Sequence, residues 1–166
     1  TFGGVGNGTF DGVIGGTGGL VKNGTGIQTL GGANVFGGGV ALNGGGLVVG
    51  NNAALGTGAL TVGANASLDS SIAANLGNDI GLLAGATLNL LGSNALTLGG
   101  AVTGDGGLIK NGAATVTLTG SNTFTGGTVI NSGTLAIAAG GSLSPTGAVN
   151  LAGTGTFDIS AGGNQS

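Results

Sequence analysis

The stretch GGLVKNGTGIQTLGGANVFGGGVALNGGGLVV (residues 18–49) returns as GGLIKNGAATVTLTGSNTFTGGTVINSGTLAI (residues 106–137), 88 residues further on. The likeness runs from 18 to 69 and from 106 to 158, with the offset growing to 89 after an extra residue near Pro145. Roughly twenty paired positions are identical, mostly Gly, Asn and Leu. A duplicated stretch this long holds several supersecondary units. It predicts a stacked, quasi-one-dimensional architecture in which each unit touches only its neighbours. Function in such a chain belongs on a surface or a ladder more than in one pocket.

Inside the repeat the pattern is apolar-x-apolar, bounded by Gly or Asn. It occurs at Val40/Leu42, Leu47/Val49, Leu60/Val62, Leu88/Leu90, Leu96/Leu98, Val116/Leu118, Leu135/Ile137, Val149/Leu151 and Phe157/Ile159. Alternation with period two over three to five residues is a strand signal. The runs are too short for helices, and the intervening Gly and Asn weaken helices while suiting corners. Leu68 to Leu88, Leu88 to Leu108 and Leu96 to Val116 are each 20 residues apart, Val116 to Leu135 is 19 and Leu135 to Phe157 is 22. This spacing predicts one coil of about 20 residues carrying two or three short strands, with about four coils and a few residues to each 88-residue repeat. The fold class expected is all-β, a right-handed parallel β-helix (β-solenoid), over 1–166 as a single segment. The alternative is a sandwich of antiparallel hairpins turning at Asn7-Gly8, Asn23-Gly24, Asn43-Gly44 and Asn111-Gly112.

Composition narrows the function. Apolar residues make up 40 % of the chain, enough to bury a core despite 44 glycines. Collagen is excluded because Gly lacks a three-residue period and Pro occurs once. No run of about 18 apolar residues forms a membrane helix. The net charge is −3, and Lys22 and Lys110 are the only basic residues. A nucleic-acid partner needs a basic face, which two lysines cannot supply. The absence of Cys suits a chain that needs no staple. The chain begins at Thr1 with no basic segment ahead of an apolar one, so it reads as a processed or excised piece.

Catalytic chemistry finds little to work with. His, Cys, Glu and Arg are all missing. A Ser-His-Asp triad is therefore impossible. The acids are Asp11, Asp69, Asp79, Asp105 and Asp158. Asp69 and Asp158 are equivalent positions about four coils apart, roughly 19 Å at about 4.8 Å per coil, too far for a glycosidase pair. Asn78-Asp79 after Gly77 faintly resembles a calcium-binding coil, but it stands alone and reads as a turn with a solvated Asp79. Lys22 and Lys110 precede Asn, which rules out a P-loop, and both read as solvated corner charges. Thr115, Thr117, Thr119, Thr123 and Thr125 read as a Thr-rich outer face chosen for β-propensity, with ice binding as the functional alternative. Asn23, Asn34 and Asn43 recur as Asn111, Asn122 and Asn131, either as corner ladders or, as the larger expected effect, bonding within their own turns. Phe36 and Phe124 read as core plugs. Gln28 stands where the second copy has Val116, so either the register shifts or a polar group points inward and needs a partner.

The second copy resembles the passenger-associated transport repeat of bacterial autotransporters. Gly107, Leu108, Lys110, Gly112, Leu118, Gly120, Asn122, Phe124, Gly126, Thr128, Ile130, Gly133 and Leu135 fall on that pattern. So do Gly19, Leu20, Lys22, Gly24, Leu30, Gly32, Asn34, Phe36, Gly38, Gly45 and Leu47, with Val40 replacing the Thr. The resemblance implies a β-helical stalk of a secreted or surface-displayed passenger from a Gram-negative bacterium, attached to an outer-membrane barrel in the precursor. The expected role is structural: extension, presentation or adhesion, without enzyme activity, cofactor or metal. Alternatives are a subunit of an extracellular fibre, or the stalk of a passenger whose enzyme domain lies outside these residues. Expected partners are a host-cell, matrix or neighbouring-cell surface, and a second copy stacked end to end, Thr1–Phe10 against Gly155–Ser166.

Overall fold

The computed structural model describes residues 1–162, so the last four residues of the expected end-coil contact lie outside it. Eighteen short strands follow in order: β1 (Gly8–Phe10), β2 (Leu20–Lys22), β3 (Ile27–Leu30), β4 (Val40–Leu42), β5 (Gly46–Val49), β6 (Leu60–Val62), β7 (Ala66–Ser70), β8 (Ala74–Leu76), β9 (Ile80–Leu82), β10 (Thr87–Leu90), β11 (Leu96–Leu98), β12 (Val102–Gly104), β13 (Gly107–Lys110), β14 (Thr115–Leu118), β15 (Thr128–Ile130), β16 (Thr134–Ile137), β17 (Val149–Leu151) and β18 (Thr156–Asp158). There is no helix among the described residues.

Every strand pairing is parallel, and the strands form three sheets. The first face is β2-β4-β6-β9-β12, the second β1-β3-β5-β7-β10-β13-β15-β17, and the third β8-β11-β14-β16-β18. The chain visits first, second and third face in turn, so each circuit is one coil of a β-solenoid, about eight in all. The hairpin sandwich is thereby excluded. Where a coil lacks a strand on one face, irregular or turn backbone fills the place. The N–H of Val35 donates to the Ile14 carbonyl at 2.9 Å, and the N–H of Thr57 to the Phe36 carbonyl at 3.0 Å.

The core is a column of Leu, Val, Ile and Ala between the three faces. Leu30, Leu42, Leu68, Leu88, Val116 and Leu118 have no exposed surface. Alternation explains it, since in β4, β6, β9, β11 and β15 the outer two residues are buried and the middle one is half-buried. Leu88 stacks on Leu108, Leu96 on Val116, Val116 on Leu135 and Leu135 on Phe157, as the spacing predicts. Leu68, however, stacks on Leu90 and not on Leu88. Two residues are absorbed in this coil, where the Ala86 N–H closes a turn onto the Leu83 carbonyl at 3.0 Å. The Phe157/Ile159 pair also departs from expectation. Phe157 packs on the core edge, but Ile159 lies beyond β18 and is exposed, with no further coil described above it.

The two copies of the repeat occupy different faces. Leu20 is on the first face and Leu108 on the second. Ile27 is on the second and Thr115 on the third. Phe36 lies on the third, whereas Phe124 sits on the first, where the flanking Thr123 N–H donates to the Val102 carbonyl at 2.8 Å. The 88 residues are therefore four coils and one face. The few residues beyond four coils turn the whole unit to the next side.

Candidate functional site

Among the polar residues the lysines are the most informative. Both were expected to be solvated, and both are buried: Lys22 is 3 % exposed and Lys110 fully enclosed. Each ends a strand with its side chain turned inward, because it occupies the last core-facing position of β2 or β13. The Lys22 ammonium donates to the Gly24 carbonyl in its own turn and to the Gly44 carbonyl one coil on, at 3.4 Å. The Lys110 ammonium donates to the Gly112 carbonyl and to the Ser132 carbonyl, again at 3.4 Å. Each of these half-buried corner carbonyls needs a donor, and a long cationic side chain reaches two of them at once. Burial pushes both ammonium groups below the ordinary lysine range, and the Asp69 charge partly opposes this at Lys110.

The neighbouring glycines make the space. Gly45 and Gly133 are equivalent, with φ of 64° and 65°, a left-handed conformation that favours Gly. A Cβ on Gly45 would come within 2.7 Å of the Lys22 Nζ, and one on Gly92 within 2.8 Å of the Lys110 Nζ.

The asparagines bond between coils rather than mainly within their turns. Asn43 Nδ2 donates to Asn23 Oδ1 at 2.9 Å, Asn111 Nδ2 to Asn89 Oδ1 at 2.8 Å and Asn131 Nδ2 to Asn111 Oδ1 at 2.6 Å. Asn34 and Asn122 are buried staples. Asn34 accepts from the Ile14 N–H at 2.8 Å and donates to the Ala54 carbonyl at 2.6 Å. Asn122 accepts from the Val102 N–H at 2.9 Å and donates to the Gly120 and Ser142 carbonyls, both at 2.8 Å. Local bonding loses because a parallel stack places each corner about 4.8 Å from its copy, within reach of one amide. Gln28 faces inward with the register kept, and its Nε2 donates to the Thr29 carbonyl at 2.9 Å. Gly8 in the preceding coil leaves room for its amide. No buried side-chain polar atom among the described residues lacks a partner.

The remaining candidates are dispersed. Asp69 accepts from Ser93, through the N–H at 2.9 Å and the hydroxyl at 2.5 Å. Asp69 lies on the second face and Asp158 on the third, so they are not stacked on one side as the repeat suggested. The Ser160 hydroxyl and N–H hold the Asp158 carboxyl below its usual range. Asn78 is buried, donating to the Gly56 and Gly58 carbonyls at 3.0 and 2.7 Å, while the exposed Asp79 accepts from the Ala101 N–H at 2.9 Å. No group of three Asp residues gathers among the described residues. The expected Thr face is split: Thr115 and Thr117 belong to the third face, and Thr123 and Thr125 to the first. An open groove of about 380 Å³ on the second face is lined by Asn65, Ser67, Thr87, Asn89 and Ile109. Asn65 is already engaged there by the Thr87 N–H at 2.9 Å.

Polar side chains bonded from coil to coil around a shared apolar column define a parallel β-solenoid. The passenger-associated transport repeat family matches this chain twice, at residues 20–49 and 108–137. The chain carries two repeats of the kind found in autotransporter passenger domains. Each match begins in a lysine-bearing strand and ends two strands after the inner Phe or its equivalent, at the close of β5 or β16. No curated protein and no solved structure matches the chain.

Proposed function

We propose that this segment is the non-catalytic stalk of a secreted or surface-displayed passenger, serving to extend and present what it carries. The observation that carries this reading is the continuity of the stack. One apolar column runs from Leu30 to Ile137, the second-face ladder links β1 to β17 without a break, and the buried Lys22, Asn34, Ser70, Asn78, Lys110 and Asn122 side chains bond from coil to coil. Eight coils at about 4.8 Å make a rod of roughly 38 Å. Parallel ladders along the axis resist extension together, which suits a spacer. The five Asp residues are scattered, with Asp69 in the second face, Asp79 just ahead of β9 and Asp158 in the third face, and no three of them gather among the described residues to share acid–base work.

Display is the test. A Gram-negative cell would carry the chain ahead of an outer-membrane barrel, with an epitope tag before Thr1. The stalk reading expects the tag to be reached by antibody on intact cells and the coils to resist a broad-specificity protease. Removing one coil should preserve display. Purified chain that cleaves a glycan or peptide, with the activity lost on substituting one Asp, would overturn the non-catalytic part.

A further inference from the structure

Two lysines of one sequence module make the same bonds at two different corners. Lys22 lies where the first face turns into the second, and Lys110 where the second turns into the third. The environments differ, yet the bonding does not. Each ammonium donates to the carbonyl two residues on and to a carbonyl 22 residues on, in the next coil. The following Asn joins a ladder in both copies, Asn23 with Asn43 and Asn111 with Asn131. The buried Asn donates its amide to a carbonyl 20 residues on in both copies, Asn34 to Ala54 and Asn122 to Ser142.

We infer that the lysine clamp makes the repeat a portable corner module, which folds alike at any corner of the solenoid, so that repeats 88 residues apart display their outer surface on successive sides of the rod. The outward residues bear this out. Val35 faces out from the third face, and its counterpart Thr123 from the first. Equivalent residues of the two copies thus never form one stripe. A ligand that reads the repeat's outer surface would meet it from two directions, and a flat partner lying along one side would meet one copy only.

The physical basis is that the clamp's partners are all backbone carbonyls. Carbonyls recur at every corner whatever the side chains of the face, so a side chain that recognises only them is indifferent to which face it has reached. A salt bridge would not be portable in this way, because it needs an acid at each new place.

The test is a chimaera in which residues 108–137 replace residues 20–49, an exchange of equal length. Circular dichroism and acylation of amines at neutral pH follow it, with the N-terminal amine as the reactive control. The inference expects a folded strand spectrum and two lysines that resist acylation until the chain unfolds, as in the parent. A chimaera that does not fold, or whose grafted lysine reacts as fast as the N-terminus, would overturn it. Lys22→Met and Lys110→Met in the parent chain probe the clamp separately. Comparable falls in the thermal midpoint support one shared device, whereas a fall in only one, or in neither, shows that the lysine is not what the two copies have in common.

Discussion

Leu20 and Leu108 hold the same place in the two repeats, yet Leu20 stacks on Val40 in the first face while Leu108 lies between Leu88 and Thr128 in the second. One repeated sequence pattern therefore serves two sides of the rod. This is possible because a solenoid core asks the same of every face: a branched apolar residue pointing in, and a small residue pointing out.

That demand makes strand facing testable. Leu118 has no exposed surface and Thr117 is half-buried beside Thr97 and Ala136. Leu118→Asp should cost several kcal/mol, since an unpaired carboxylate would enter the core. Thr117→Asp should cost roughly 0.5 kcal/mol or less. Denaturant unfolding of the two variants checks this, and equal losses would mean that β14 faces the other way.

The lysines give an alkaline signature. Their folded pKa values lie below the unfolded value of about 10.4, so above the folded values the unfolded chain holds more protons. Stability should then rise with pH between the folded values and about 10.4, and level off beyond. With no Cys or Tyr in the chain, few other groups titrate there. The double Lys→Met variant should show a flat profile across this window. A stability that falls through it in the parent would contradict the burial.

The two classes of Asn should separate by burial. Asn122→Ala removes partners from the Val102 N–H and the Gly120 and Ser142 carbonyls inside the stack. It should cost about 1–3 kcal/mol, because the buried Val102 N–H is left without an acceptor while the two carbonyls keep backbone donors. Asn43→Ala, on an exposed ladder, should cost about 1 kcal/mol or less. Thermal unfolding ranks them.

A polypeptide of these 166 residues should also associate end to end. Phe10 is 41 % and Leu151 58 % exposed, although their stacked partners Leu30 and Ile130 are fully buried. These apolar residues lie on β1 and β17, the edge strands of the second face among the described residues, and such edges template a further strand. Light scattering over a concentration series should show growing mass, and a chain that stays monomeric to millimolar concentration would contradict it.

The coil and its strands were legible because each is local. Apolar pairs such as Leu96/Leu98 and Val116/Leu118, spaced by 20 residues, became stacked partners. Phe36 and Phe124 became core plugs. What the sequence concealed depended on the count of residues in each circuit. The two residues absorbed between Leu68 and Leu90 and the one-face advance of the repeat both follow from coils of unequal length, which no motif marks. The corners were misread for another reason. A Lys beside Asn and Gly looks solvated, and only the stack reveals that its side chain continues the inward alternation of Leu20 or Leu108 and meets two backbone carbonyls.

The central claim is a parallel stack in which one repeat equals four coils and one face. Nuclear Overhauser contacts around the two phenylalanines test it most directly. The account predicts that Thr123 and Thr125 contact Val102 and Gly104 on the first face, while Val35 contacts Ile14 on the third. Contacts placing both Phe segments on one face, or an antiparallel pairing of β14 with β13 or β15, would contradict it.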